Sequence, residues 1–446
     1  MHYVMDAAGE LRVKDFFDRV GGVLANKKRK ASFAIYAMGL LGDGERKSME
    51  PIASRAVAEP EKVDALHQRL GHFMKDSEWS DGAVRREAAA YALALITAEN
   101  PVETWIIDDT GFLKQGKHSV GVQRQYTGSA GKITNCQLGV SLSVATRSDH
   151  LPIDFELYLP RSWTDDMARR EEARIPADVT FKTKPELALD MIDRALEDGV
   201  PHGVLLADEG YGNSSAFRHG LSERGLEYAV AVNATTTVFV KDKKGGLGEV
   251  KWSVGEVADM LGPKRFRQTT WREGTKGLMH ARFAVRKVVV AHDDGEPLAE
   301  KKAVWLLMEW RDGDTRPEHF YLSTLPENTS RKKLVRLVKE RYRTERAYQD
   351  LKGELGLDHF EGRRFAGWHH HVSVALCCYA FITAEKCRSF SPSVTGARRA
   401  PTDRGSTRTP LRRLPHHSQA GDRPDPQHVA APMSAVPSQE SQPASA

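Results

Sequence analysis

Three acidic positions in this chain stand where carboxylates can do chemistry. Thr104-Trp105-Ile106-Ile107 is a short apolar run that ends in Asp108-Asp109, and Thr110-Gly111 then breaks the pattern. Val204-Leu205-Leu206-Ala207 is a second such run, ending in Asp208-Glu209-Gly210. Apolar runs without alternation suit strands buried on both faces, so these acids are expected at the carboxyl ends of core strands, where α/β folds place their chemistry. The third acid, Glu345, lies in a stretch read as one long helix opened by Ser330. Its neighbours on a helical face are Val338, Arg341, Tyr342, Tyr348, Gln349 and Lys352, so it shares a face with apolar residues and lies between two cations. Each acid alone has an ordinary explanation: an Asp-Asp pair can merely end a strand and solvate a turn, and Glu345 can be a structural ion pair. Taken together, carboxylates on neighbouring strands repel unless a cation sits between them. Hard oxygen ligands, few in number, with water and phosphate completing the shell, are what magnesium or manganese takes.

The elements that must position these acids follow in chain order. The first hundred residues read as a small helical domain, with Leu11, Phe16, Phe17 and Val20 near helical spacing and an Ala-rich helix from Val84 to Thr97. Its basic corner, Lys27-Lys28-Arg29-Lys30, suits a DNA-binding module as well as a plain packing domain. After Asp109 a polar, Gly-rich excursion spans 114–132. Two alternating strands follow, one through Cys136 to Val144 and one through Leu151 to Leu159. Thr183-Lys184-Pro185-Glu186 has capping-box spacing, Leu187, Met191 and Ala195 form a helical stripe, and Gly199 stops that helix. Three meandering strands, a helix and a strand parallel to the first are the layout of an RNase H-like core, which would set Asp109 beside Asp208. That core spans 101–233, a β-rich insertion spans 234–317, and the core resumes over 318–387.

Composition narrows the class. With 446 residues, 40% hydrophobic and 28% charged, the chain can bury a full core and fits no disorder class. No apolar run is long enough to span a bilayer and the first residues lack a signal-peptide pattern, so a cytoplasmic protein without membrane anchorage is expected. Cys136, Cys377, Cys378 and Cys387 show no CxxC spacing and read as reduced thiols. The segment from Arg388 holds eight arginines against four acids, which leaves the body before it at +1 of the total +5. Bulk charge is therefore no argument for DNA. The local clusters are Lys27 to Lys30, Lys241 to Lys244, Lys264 to Arg267 and Arg331 to Lys333, each alone more often a solvated face than a phosphate contact.

Several motifs in order resemble a known family. Trp105 to Thr110, Ser119 to Gly128, Asn135-Cys136-Gln137, Ala207 to Gly212, and Gly356 to Arg363 followed by Gly367-Trp368-His369-His370-His371 are similar to the DDE transposases of bacterial insertion sequences. The likeness is to the seven-hundred-one branch, related to the insertion-sequence-four group, and covers about Phe16 to Lys386. The resemblance implies Asp109, Asp208 and Glu345 as the catalytic, metal-holding triad, with Mg²⁺ as cofactor and Mn²⁺ able to substitute. It implies cutting at element ends and joining of their 3′ hydroxyls to target DNA by two-metal-ion phosphoryl transfer. The partners it implies are double-stranded DNA, as terminal inverted repeats and as target, and a second copy in a homodimer on that DNA. The related group's Tyr, Arg, Glu, Lys signature is matched by Arg341, Glu345 and Lys352, with Val338 where the Tyr stands. Arg341 and Lys352 are then expected on phosphate oxygens, and Asp108 and Glu209 beside the ligands rather than among them.

Other residues carry less. His369-His370-His371 cannot easily share an ion from consecutive helical positions and read as packing or DNA contact. Trp271 and Lys276 join an aromatic to a basic glycine turn that could stack on an unpaired base, though a core Trp is the commoner role. Nine of the 21 prolines and one aromatic fall in the 59 residues from 388, a composition that reads as a disordered tail and suits a frameshift near the end of the frame. A degenerate copy that binds element ends without cutting, a repressor of transposition, is the alternative reading.

Overall fold

The computed structural model describes residues 7–241, 247–274, 277–291 and 302–390. The basic run 241–244 lies outside these residues except for Lys241, as do Lys276 and the segment from 391 on. The strands are β1 (Thr104–Leu113), β2 (Gln123–Thr127), β3 (Lys132–Ala145), β4 (His150–Tyr158), β5 (Val204–Ala207), β6 (Tyr228–Val232), β7 (Thr237–Lys241), β8 (Leu247–Ser253), β9 (Arg267–Gly274), β10 (Gly277–Val290), β11 (Val304–Trp310) and β12 (His319–Ser323). They form one mixed sheet, ordered β2-β3-β1-β5-β6-β12-β11-β10-β7-β8, with β4 also on β3 and β9 also on β10. β3 runs antiparallel to β1 and β4 antiparallel to β3, whereas β5 and β6 follow on the other side of β1, parallel to it.

The helices are α1 (Ala7–Gly21), α2 (Lys27–Leu41), α3 (Met49–Ala56), α4 (Val63–Lys75), α5 (Asp81–Ile96), α6 (Arg161–Thr164), α7 (Met167–Ala173), α8 (Lys184–Glu197), α9 (Glu209–Gly212), α10 (Ser215–Glu223), α11 (Val254–Leu261), α12 (Arg331–Val338), α13 (Tyr342–Gly353) and α14 (Phe365–Phe390). The apolar strands feed cores on both faces, which is why they lack polar alternation. Trp105, Ile107, Leu205 and Ala207 enter a core shared with α1 to α5, α8, α10, α13 and α14. Ile106, Val204 and Leu206 point the other way, onto Leu334, Val335, Leu337 and Val338 of α12. The helices of the first hundred residues thus share one continuous apolar core with α14 and a sheet face, and the strands of 234–317 extend the same sheet. α11 packs on a third core with Val238, Val288 and Leu306.

Two details differ from the sequence expectation. The polar stretch before Lys132 contains β2, an edge strand whose residues are polar enough to give no hydrophobic period. The stretch after Ser330 is two helices: Ser330 caps α12 through the Lys333 amide, and a 3₁₀ turn over Lys339–Arg341 separates it from α13. The break lets α12 bury Val338 on one sheet face while α13 buries Tyr348 and Leu351 on the other.

His369, His370 and His371 take separate partners. His369 meets Glu156, His370 the carbonyls of Met74 and Trp79, and His371 the Tyr36 hydroxyl and the carbonyls of Gly356 and Leu357. They are packing residues. Cys136, Cys377 and Cys378 are buried free thiols and Cys387 is half-buried. Among the described residues no helix is long and apolar enough to cross a membrane.

Candidate active site

β1 and β5 pair in parallel through Thr104↔Val204, Trp105↔Leu205 and Ile106↔Leu206. Asp108 and Asp208 each stand two residues beyond the last pair, so they are level across the two strands. Asp208 also ends its strand as the N-cap of α9, its Oδ1 accepting from the Gly210 amide at 2.9 Å. The turn that follows lies hard against β6: a Cβ on Gly212 would overlap the Ala231 carbonyl, so glycine is required there.

The acids of the two strands are held by two cations. Arg341, in the 3₁₀ turn before α13, donates to Asp108 Oδ2 at 2.9 Å and lies 3.9 Å from Asp208 Oδ2. Asp109, the next residue, takes a different partner: its Oδ2 accepts from Lys184 Nζ at 2.7 Å and from the Tyr211 hydroxyl at 3.2 Å. Lys184 is the first residue of α8, and the Thr183–Glu186 capping box that fixes that helix start is present as the spacing suggested. Arg341 and Lys352 therefore both have protein partners in this state. Lys352 Nζ donates to Thr110 Oγ1 at 2.9 Å, the Gly111 carbonyl at 2.6 Å and Ser129 Oγ at 3.2 Å. Arg341 keeps its buried Nε–H without a protein partner among the described residues.

Glu345 occupies the first turn of α13, a favourable place for a negative charge, and is exposed. Its helix is anchored by buried Tyr348, whose hydroxyl shares a 2.6 Å hydrogen bond with Ser141 of β3. The preceding Thr344 bonds buried His150 at 3.0 Å. From the other side β9 lays the Arg272 guanidinium 3.8 Å from the Tyr342 ring, three residues before Glu345.

The charges are crowded. Burial pushes the Asp108 carboxyl up to about 7; Arg341 pulls it down, while Asp208 and Asp109 push with burial. Burial and the same carboxylates hold the Tyr211 phenol well above its ordinary value. Burial lowers the Lys184 amine, but Asp109 outweighs it and the net shift is upward. Glu209, half-buried, is raised by burial and by Asp208. The donor set is all hard oxygen, as magnesium or manganese would take. Among the described residues, however, no three acidic, His or Cys side chains lie close enough together to hold an ion, and an ammonium and a guanidinium pair with Asp109 and Asp108.

Trp271 is half-buried, edge-on to Phe283, with Lys339 Nζ 4.8 Å from its ring centre, which is a packing environment. Lys27, Lys28 and Lys30 are exposed and Arg29 half-buried on the first turn of α2, capped by Asn26. The sequence reading missed Lys184, Tyr211, Ser129 and Arg272. For Lys184 the capping box was the available signal, but it marks a helix start and not a partner in β1.

Comparisons with known proteins place the chain in a family. A probable transposase for insertion sequence element IS701 from Microchaete diplosiphon is 29% identical over 224 residues, 50% of this chain and 53% of that protein. The chain thus spans about half the length of that relative. A cryo-EM structure of the piggyBac transposase synaptic complex with hairpin DNA aligns over 82% of this chain and 67% of its own, at 12% identity and a TM-score of 0.39. Residues 180–381 match the transposase DDE domain. Residues 16–278 match the DDE superfamily endonuclease model, and the chain belongs to that superfamily.

Proposed function

We propose that this protein is a DNA transposase of an insertion sequence, cutting element ends and joining the freed 3′ hydroxyls to target DNA. The observation that carries the reading is the convergence of Asp108-Asp109 and Asp208 at the ends of adjacent parallel strands, with the helix of Glu345 strapped across β1 by Lys352. The strand order β4-β3-β1-β5-β6, with β3 alone antiparallel and β4, β5 and β6 all running in the direction of β1, supports an RNase H-like core. The match to the IS701 relative supports the substrate class.

Asp109, Asp208 and Glu345 are the proposed ligands of divalent magnesium, which when bound would lower the pKa of an attacking water and stabilise the departing 3′ oxygen. The remaining roles belong to the chain itself. Arg341 holds Asp108 and lies beside Asp208, and is proposed to contact a phosphate oxygen near the scissile group. Lys352 fixes the strand beside Asp109, and Ser129 lets the β2–β3 turn close against it. The exposed cations of α2 are proposed to contact the DNA backbone, with two copies acting on one pair of ends.

The test uses duplexes copied from the inverted repeats flanking the gene, incubated with the full-length protein and Mg²⁺. Nicking at the repeat boundary and joining of that 3′ end to a second duplex are expected. Tight binding to the repeats without cleavage in either Mg²⁺ or Mn²⁺ would instead favour the repressor reading.

A further inference from the structure

The first residue of α8 is a lysine, and a helix N-terminus is the wrong end for a cation, because the backbone dipole is positive there. Its ammonium does not serve the helix. It lies 2.7 Å from Asp109 Oδ2 and 5.8 Å from the centre of the Tyr211 ring, on the oxygen that also accepts the Tyr211 hydroxyl. One oxygen of the proposed ligand is thus filled by two donors, one of them a full positive charge. The Lys184 side chain is 30% exposed, so it is not sealed inside the core. Asp108 and Asp208 share the other cation, Arg341.

We propose that Lys184 is a built-in counter-cation of the carboxylate site, occupying the Asp109 oxygen in the metal-free protein and setting how tightly a divalent ion is taken up. This rests on the reading of Asp109 as a metal ligand. Free of metal, the ion pair offsets repulsion among Asp108, Asp109 and Asp208. A divalent ion must displace the ammonium to reach Asp109 Oδ2, so the protein loads weakly. Loading then becomes favourable where a DNA phosphate supplies further oxygen ligands and a second partner for the displaced ammonium. Lys184 is a positioning residue in this scheme.

The experiment is Mn²⁺ binding by full-length, DNA-free protein, followed through the electron paramagnetic resonance signal of the free ion. The variants are Lys184→Gln, Lys184→Met, Lys184→Arg and Asp109→Asn, with Mn²⁺-dependent thermal shifts as a second readout. Removing a unit charge beside the ligand should tighten Mn²⁺ binding about tenfold in Lys184→Gln and Lys184→Met. Lys184→Arg should bind like wild type, and Asp109→Asn should lose the ion. Without metal the two neutral variants should melt lower than wild type, yet gain more from added Mn²⁺. A lysine that only braces Asp109 would give the opposite sign, with looser or unchanged binding on its removal. Unchanged or weaker Mn²⁺ binding in both neutral variants, with Asp109→Asn still losing the ion, overturns the proposal and leaves the ligand reading standing. Equal Mn²⁺ binding by every variant including Asp109→Asn overturns both.

Discussion

The Lys352 ammonium donates to the Thr110 hydroxyl at 2.9 Å and to the Gly111 carbonyl at 2.6 Å, strapping the helix of Glu345 across the strand of Asp109. It does so from a largely desolvated position, since burial lowers its pKa. Lys352→Met should therefore leave the Gly111 carbonyl without this donor and cost about 1–3 kcal/mol of stability. Urea denaturation of the two proteins measures the difference. A lysine whose only role was to meet DNA would leave the midpoint unchanged.

Asp108 and Asp109 are adjacent but answer to different cations, Arg341 and Lys184. Asp108→Asn should lower cleavage through a misplaced Arg341, while Asp109→Asn should abolish it. Single-turnover rates on a repeat-end duplex separate the two. Equal, complete loss in both would make Asp108 a ligand in its own right.

His150 is buried neutral against Thr344, the neighbour of Glu345, and burial holds its pKa down to about 3 from an ordinary 6.5. The unfolded chain binds a proton between those values and the folded chain does not. Stability from this group is complete above about pH 6.5 and is lost as pH falls toward 3. His150→Gln should reduce the pH dependence in that window by up to about 1.4 kcal/mol per pH unit. His371, lowered to about 4 by burial, keeps some acid sensitivity in the variant. Chemical denaturation at pH 7, 6, 5 and 4 provides the check.

Four cations on the first turn of α2 oppose its helix dipole. Replacing Lys27, Lys28, Arg29 and Lys30 with Gln should leave the melting temperature the same or slightly higher, while flattening the salt dependence of DNA binding. An unchanged salt slope would remove α2 from the DNA interface.

The sequence carried the strands of Asp109 and Asp208 because a strand buried on both faces is continuously apolar, and Thr183 to Glu186 marked the start of α8 by its spacing alone. The break at Lys339–Arg341 was not legible. Val338 and Tyr348 each fit a helical period, and only the tertiary placement of α12 and α13 on opposite sheet faces shows that the period restarts. The partners of the acids were hidden for the same reason. Lys184 meets Asp109 from 75 residues away, and Arg341 reaches Asp108 from 233 away, so neither pair leaves a local trace.

The central claim is tested most directly by Mg²⁺-dependent cleavage of repeat-end DNA by Asp109→Asn, Asp208→Asn and Glu345→Gln, with DNA affinity measured beside it. Each variant should lose cleavage by at least about three orders of magnitude while binding the repeat within a few-fold of wild type, because ligands of the ion act on the chemical step. Near-normal cleavage by any one of the three would show that this residue is not a ligand and would contradict the triad.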